Sequence, residues 1–573
     1  MQKKQTILVV ASLLVVVLSV TLAYFTAQII GKGKDVSVSS ADLKIIFTDS
    51  DGAISGSNIE PGWSDTKTFT IENKSNEIYK YNIVIQNLVN TFVTEGYLQY
   101  KITSSNGGYN MTEFKDIPKS SAPKDKILAY GVSIPVGVTQ SYTVEFKYAN
   151  DESVDQSDDM GKKLSGTLFI TEGTEDIYAG YEEGTLGYQI MGDNPKRSTR
   201  SNNNNGTNDF ATPLTATTTG TLFTSTESIT GITDSPKEVY YYAGNTTNNW
   251  VKFGKYQNDL IRYRGYYSTS SNSFRDYPTM DECTSASDYN INCTEHKYAN
   301  TGDDIYWRII RTNHDGSIRL LYVGNSPDTT DGNIGKSVFN TSDNSPKYVG
   351  YKYGEDTSLD TIRNNTTDST IKVFIDSWYQ NNLTNYTKYL STSAVYCNDR
   401  SLGTGQTYSV SSSSQFNFAP YYRMDWDTQG AKANPSYNCT DIRDAFSVDN
   451  TSAKLTYPVS LVTSDEIAFA GGVAFKTINT PYAWYYLNSA GGSITGSTAW
   501  WSLSPITWNG SNAYVCHWYS YRAYLSNTLV DLGDAVRPVI SLKSCIKYGT
   551  GDGFATNPYT ILETLSGCWY NKF

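Results

Sequence analysis

Between residues 36 and 172, apolar and polar positions alternate with a period of two. Phe69 and Ile71 fall on one side of Thr66–Ile71, and Tyr142, Val144, Phe146 and Tyr148 fall on one side of Tyr142–Tyr148. Successive side chains of a strand point to opposite faces, so this period predicts strands with one buried face. Further strands are predicted at Tyr81–Ile85, Tyr97–Ile102, Ile127–Ile134 and Leu164–Ile170. Turn formers such as Asn106-Gly107-Gly108 and Ile59-Glu60-Pro61-Gly62 separate them. Short strands at this spacing predict an all-β antiparallel sandwich over 36–172.

The pattern then changes. Gly184–Asn194 predicts a short helix, broken by Asn202-Asn203-Asn204-Asn205-Gly206, and 211–236 is mostly Thr, Ser and Gly. So little apolar surface cannot offset the entropy of ordering a chain, so 173–236 reads as a linker carrying a short helix, with a brief strand near Leu222 and Phe223. A second domain is expected over 237–562. In it, alternating strands flank Asn313-His314-Asp315-Gly316, an Asp-Gly hairpin signal. Ser369–Leu383 puts Ile371, Phe374, Ile375 and Trp378 on one helical face. Ser464-Asp465-Glu466 reads as a helix start closed by Gly471-Gly472. The remainder is short strands and long polar loops, so this domain is α+β and the chain is multidomain. Residues 563–573 read as a C-terminal tail.

At the other end, Lys3 and Lys4 precede a run from Ile7 to Phe25 that is apolar but for Ser12, Ser19 and Thr21. This is the layout of an export segment over residues 1–30. Two readings stand. Thr21-Leu22-Ala23 fits cleavage after Ala23, whereas the length of the run fits an uncut anchor with the lysines inside. The protein is therefore expected at the cell surface or secreted, with the membrane as a partner if the segment stays uncut.

Composition narrows the function classes. The formal net charge is −11, which argues against nucleic acid as a partner. Charged residues make up 18% of the chain while tyrosine reaches 46, a mix in which tyrosine supplies contact area at low entropic cost. Three histidines in 573 residues leave little for general base catalysis. His314 is expected to be solvated in its turn, and Cys516 and His517, as strand neighbours, point apart rather than forming a dyad. Thr564-Leu565-Ser566-Gly567-Cys568 superficially resembles a sortase cysteine motif, but no arginine follows. Asp158-Asp159 and Asp303-Asp304 read as solvated turns. Asp49-Ser50-Asp51-Gly52 and Gly551-Asp552-Gly553 do not complete a calcium loop. No metal, cofactor or catalytic residue is expected. All seven cysteines lie between Cys283 and Cys568. The expected disulfides are Cys283–Cys293, Cys397–Cys439 and Cys545–Cys568, leaving Cys516 free.

The aromatic-rich stretch Trp508–Tyr524, read as a loop, is the best binding candidate. It offers Trp508, Asn509, Asn512, His517, Trp518, Tyr519, Tyr521, Arg522 and Tyr524. Aromatic faces anchor sugars or protein partners, and Arg and Asn supply directional bonds. The alternative is that alternate residues, Tyr514 and Trp518 among them, simply fill a core.

Two resemblances add to this reading. An export segment ending Thr21-Leu22-Ala23-Tyr24-Phe25-Thr26-Ala27, then Asn58-Ile59-Glu60-Pro61-Gly62 and Lys67-Thr68-Phe69-Thr70-Ile71-Glu72-Asn73-Lys74, resembles the TasA/camelysin family of Gram-positive surface and biofilm-fibre proteins. That resemblance covers about residues 1–172 and implies a jelly-roll-like sandwich and the capacity to self-assemble into fibres. The metallopeptidase activity attributed to some members does not carry over, since no histidine precedes His296 and no HExxH occurs. Trp500-Trp501-Ser502-Leu503-Ser504-Pro505 followed by Arg537-Pro538-Val539-Ile540-Ser541-Leu542 resembles C-type-lectin-like domains, the formylglycine-generating-enzyme-like branch and Firmicute surface domains of that type. The Glu-Pro-Asn and Trp-Asn-Asp sugar motifs are absent. Together these imply an exported protein that binds an extracellular glycan or protein ligand through its C-terminal head without catalysis. A structural fibre subunit and, more remotely, a formylglycine-generating-type enzyme relying on Cys516 are the alternatives.

Overall fold

The computed structural model describes residues 36–40, 43–49, 53–55 and 59–568, apart from 95, 119, 173–177, 203–206, 271–272, 330–331, 479–498, 521 and 566. The export segment, Tyr521 and the end of the tail lie outside the described residues. Among those described, no helix is long and apolar enough to cross a membrane. The chain divides into two compact units, 1–176 and 177–573.

The first unit is built from two antiparallel sheets. One has six strands in the order Val36–Ser40, Leu43–Asp49, Ser64–Asn73, Thr139–Tyr148, Leu98–Ser104, Lys115–Asp116. The other has four, in the order Ala53–Ser55, Leu164–Glu172, Tyr79–Asn90, Ser120–Ile134. Burial alternates along Thr139–Tyr148, as the period of two requires. Phe69, Ile71, Val144 and Phe146 of the larger sheet share one core with Ile83, Ile85 and Leu168 of the smaller, which makes a sandwich. Asp159, expected in a solvated turn, is instead buried. It accepts hydrogen bonds from the Val93 and Thr94 amides and, at 2.8 Å, from the Tyr148 hydroxyl. These donors hold its carboxyl below the usual range against the opposing effect of burial.

The second unit is larger than the domain expected from sequence. The helix Leu186–Asp193 is capped by Thr185, and the strands Lys196–Thr199 and Thr221–Glu227 join the main sheet. The segment expected as a linker is therefore part of the fold. Its polar side chains are spent on capping and pairing, and the few apolar ones, Leu186, Ile190, Met191 and Leu222, enter the principal core. The tail is also tied in through the Cys545–Cys568 disulfide and through Tyr389, whose hydroxyl donates to the Thr564 carbonyl at 2.8 Å.

The main sheet continues through Lys237–Tyr241, Asp304–Thr312, Ile318–Gly324, Pro538–Leu542 and Val459–Leu461, with Trp250–Lys255 pairing on Asp304–Thr312. The Asp-Gly hairpin forms, with Gly316 at φ 75°. The helix Thr370–Asn382, capped by Ser369, buries Ile371, Phe374, Ile375 and Trp378. A second sheet runs Lys336–Val338, Gly533–Ala535, Trp500–Trp508, Ala513–Tyr519, Tyr524–Leu529. The structure joins Cys283 to Cys293 and Cys397 to Cys439, and Cys516 is free and buried. Three disulfides in one chain suit an oxidising compartment.

Candidate functional site

The stretch 508–524 is a pair of strand hairpins, not a loop. Trp508 ends one strand, Ala513–Tyr519 forms the next, and Tyr524 opens a third opposite Tyr519. The pleat then decides which aromatic residues face solvent. Trp508 and Trp518, expected as ligand contacts, are 2% and 0% exposed and belong to the principal core. Trp518 stacks on Trp500 at 6.1 Å between ring centroids. Asn509 and Asn512 build the first turn instead. The Asn509 side-chain oxygen accepts from the Ser511 and Asn512 amides, and Asn512 donates to Asp343. Arg522 is exposed in the second turn, where Ala523 adopts φ 50°.

The remaining candidates come together on one edge. His517 shares Asp534 through Nδ1 at 2.7 Å and lies parallel to Tyr519, 5.7 Å away. Tyr519 meets Tyr524 at 5.8 Å. Two segments that sequence reasoning did not connect extend the run. Residues 473–478 lie along the Tyr524 strand, with the Phe475 amide donating to the Leu525 carbonyl, and this sets Phe475 5.7 Å from Tyr524. Residues 425–430 pack on Val473 through Gly430, at φ 76°, where a Cβ would meet Val473 Cγ1 at 2.3 Å. That approach brings Trp426 to 5.7 Å from Phe475 and to 6.1 Å from Tyr421, which touches the exposed Tyr422. Tyr421, Phe475, Tyr519 and Tyr524 are half-buried, whereas Trp426 and His517 are mostly covered. Nothing in the local sequence around 421–426 or 475 marks these residues as neighbours of 519–524. Only the tertiary fold joins them.

Beneath this run lies a lattice of buried charge. Asp465 and Glu466 open the helix Ser464–Ala470, with Thr463 and Glu466 forming a reciprocal cap. Arg423, from the segment that carries Tyr421 and Tyr422, grips Asp465 with Nε and Nη2 at 2.7 and 3.0 Å and Asp399 with Nη1 at 2.6 Å. Glu466 takes the guanidinium groups of Arg311 and Arg319, and Arg311 continues to Glu227 at 2.8 Å. His314 completes the chain. Expected to be solvated, it has its amide on Glu227 at 2.5 Å and its Nδ1 3.4 Å from the same carboxylate, with the side chain 8% exposed. Burial alone would raise the carboxyl groups of Glu227, Glu466 and Asp399, but the facing arginines bring all three below their ordinary range. A cavity of about 20 Å³ sits among Arg319, Arg423, Asp399, Asp465 and Cys397, room for about one water. Arg319 Nε is buried there without a partner.

Cys516 faces the core opposite His517 in strand alternation, and burial pushes its thiol well above the usual range. Among the described residues no three His, Cys, Asp or Glu side chains are grouped to hold a metal ion.

No family model matches the chain, and no curated protein matches it. Similarity to solved structures is faint. A ruminal GH26 endo-β-1,4-mannanase has a TM-score of 0.14 and 13% identity over 27% of this chain and 31% of its own. The CBM32-1 and CBM32-2 domains of Clostridium perfringens ZmpB, in complex with GalNAc, have a TM-score of 0.13 and 12% identity over 42% and 80% of the two chains. The class 5 fimbriae chaperone CfaA has a TM-score of 0.07 and 13% identity over 48% and 92%. The chain thus spans about a third of the mannanase, and similarities this slight carry no argument about fold or activity.

Proposed function

We propose that this is an exported surface protein whose larger unit, in the manner of a C-type-lectin-like head, binds an extracellular glycan without catalysis. The smaller unit, a jelly-roll-like sandwich of the TasA/camelysin kind, serves as its scaffold. The aromatic run from Tyr422 to His517 carries this reading. It gathers the half-buried rings of Tyr421, Phe475, Tyr519 and Tyr524 and the exposed Tyr422, with Arg522, Asp427 and Asp534 near them for hydroxyl groups. A glycan array probed with the full chain tests it. Reproducible retention that is lost in Tyr524→Ala is expected, and equal retention by the wild type and Tyr524→Ala refutes the assigned surface.

Self-assembly through the sandwich is the second reading. Among the described residues the strand Ser120–Ile134 pairs with Tyr79–Asn90 alone, so its outer edge offers backbone groups to a further strand. Four register irregularities along that pairing disfavour a flat edge, which ranks this reading below the first. Electron microscopy of the purified chain, alone and with its glycan, separates the two.

A further inference from the structure

We infer that Lys336 is a site of covalent modification by small aldehydes, independent of the glycan reading. Lys336 opens the strand Lys336–Val338 at the edge of the second sheet and is half-buried. The strand Phe274–Tyr277, paired with Leu260–Tyr266, packs beside it. The Lys336 amide donates to Asp276 at 3.0 Å. Its Nζ lies 4.4 Å from the centre of the Phe274 ring and, among the described residues, meets no hydrogen-bond acceptor. The two nearby carboxylates are engaged elsewhere. Asp276 takes Arg264 Nε at 3.1 Å and the Tyr298 hydroxyl at 2.7 Å, and Asp534 holds His517 Nδ1 at 2.7 Å. The Phe274 ring attracts a cation, but the Arg264 guanidinium already lies closer to it, at 3.8 Å. Arg275 packs on Gly533, whose strand pairs with that of Lys336. Burial favours the neutral amine. Arg264 and Arg275 add to that effect against Asp534 and Asp276, so Lys336 sits below the usual lysine range. Two other lysines withdrawn from solvent differ. Lys372 is held by Asp368 and Asp376 at 3.1 and 2.6 Å, and Lys543 donates to the Lys388 carbonyl at 2.7 Å. Those bonds must break before either amine can react. At Lys336 the Nζ lone pair adds to the aldehyde carbon. An N–H proton passes through solvent to the former carbonyl oxygen, and loss of water leaves an imine. Half-burial restricts the reagent to a small one.

Labelling of the folded full chain with glycolaldehyde, below one equivalent per lysine and with cyanoborohydride at pH 7, tests this. Cyanoborohydride delivers hydride to the imine carbon and fixes it as a secondary amine, which peptide mapping locates. An ordinary exposed lysine is neutral in only about one part in 2,500 at pH 7, so a lysine that holds its proton less tightly stands out. Lys336 is expected to label at least tenfold faster than the exposed Lys454. In urea the two rates should converge, because the preference belongs to the fold. A Lys336 rate at or below that of Lys454 overturns the inference, and so does a preference that persists in urea.

Discussion

Glu466→Gln isolates the charge lattice. The substitution keeps the shape of the side chain and its contact with the Thr463 amide, 2.9 Å from Oε2. It removes the negative charge from between two guanidinium groups, those of Arg311 and Arg319, whose side chains are 4% and 1% exposed. Stripping one partner from a buried ion pair costs about 3–5 kcal/mol, because the charge left behind stays desolvated. Arg311 still has Glu227, and Arg319 still donates to the Val395 carbonyl, so the lower end, about 3 kcal/mol, is expected. Urea denaturation followed by tryptophan fluorescence reads the larger unit, because ten of the eleven tryptophans lie at or beyond Trp250. The midpoint should fall while the slope stays unchanged. Glu182→Gln is the control. Its carboxylate is 50% exposed where it meets Lys547, and removing it should cost less than about 1 kcal/mol. The pH dependence gives a second reading. Glu466 titrates below its unfolded value of about 4.3, so its contribution is present above that pH and is lost as pH falls through the lower folded value. The gap between wild type and variant should therefore hold steady from pH 8 to 5 and close in acid. A variant within about 0.5 kcal/mol of wild type at pH 7, or a gap that widens in acid, refutes the reasoning.

Two further outcomes follow from the same structure. Trp508→Ala, at a side chain 2% exposed, should cost about 3–5 kcal/mol in urea denaturation, as a core deletion does; a fold of unchanged stability would return Trp508 to the binding surface. Replacing Cys397 and Cys439 together by serine opens a loop with a separation of 42 residues and should cost about 4 kcal/mol by the loop-entropy relation, read as a lower urea midpoint without reductant and as a gap to wild type that closes when both proteins are reduced.

How much of this was legible in the sequence depended on whether the signal was local. The period of two placed Phe69, Ile71 and Val144 in the sandwich core, because strand alternation is a property of the segment itself. The helix at 370–382 and the capped start at Ser464 were legible for the same reason. The linker reading failed because it priced 194–236 as an isolated chain. Its strand Thr221–Glu227 draws its stability from pairing with Lys237–Tyr241 and from burying Glu227 against Arg311, neither of which composition reports. In the site, Tyr519 and Tyr524 were within reach of sequence, since a hairpin sets them opposite one another. Trp508 and Trp518 were misjudged because aromatic content does not say which side of the pleat a ring occupies. Tyr421, Trp426 and Phe475 were invisible, since their approach to Tyr524 depends on backbone contacts between 425–430, 473–478 and 523–525.

The same dependence explains why buried charge lies beneath the aromatic run. Rings contributed by separate segments hold a common line only if those segments keep a fixed register, and apolar packing alone tolerates sliding better than directional bonds do. Arg423 answers that need. Its guanidinium is held by two carboxylates from elsewhere in the chain, in a planar geometry that lysine cannot reproduce, and its own segment carries Tyr421, Tyr422 and Trp426. Asp465 also receives the Ser436 amide at 2.9 Å, so the chain on either side of residues 425–434 is pinned to one helix start. A buried ion pair adds little net stability over a well-packed apolar substitute, and its best-attested use is to select one arrangement among several. On that argument the lattice fixes where the rings stand, and the loss expected for Glu466→Gln measures the charge left unpaired rather than a net gain from the pair.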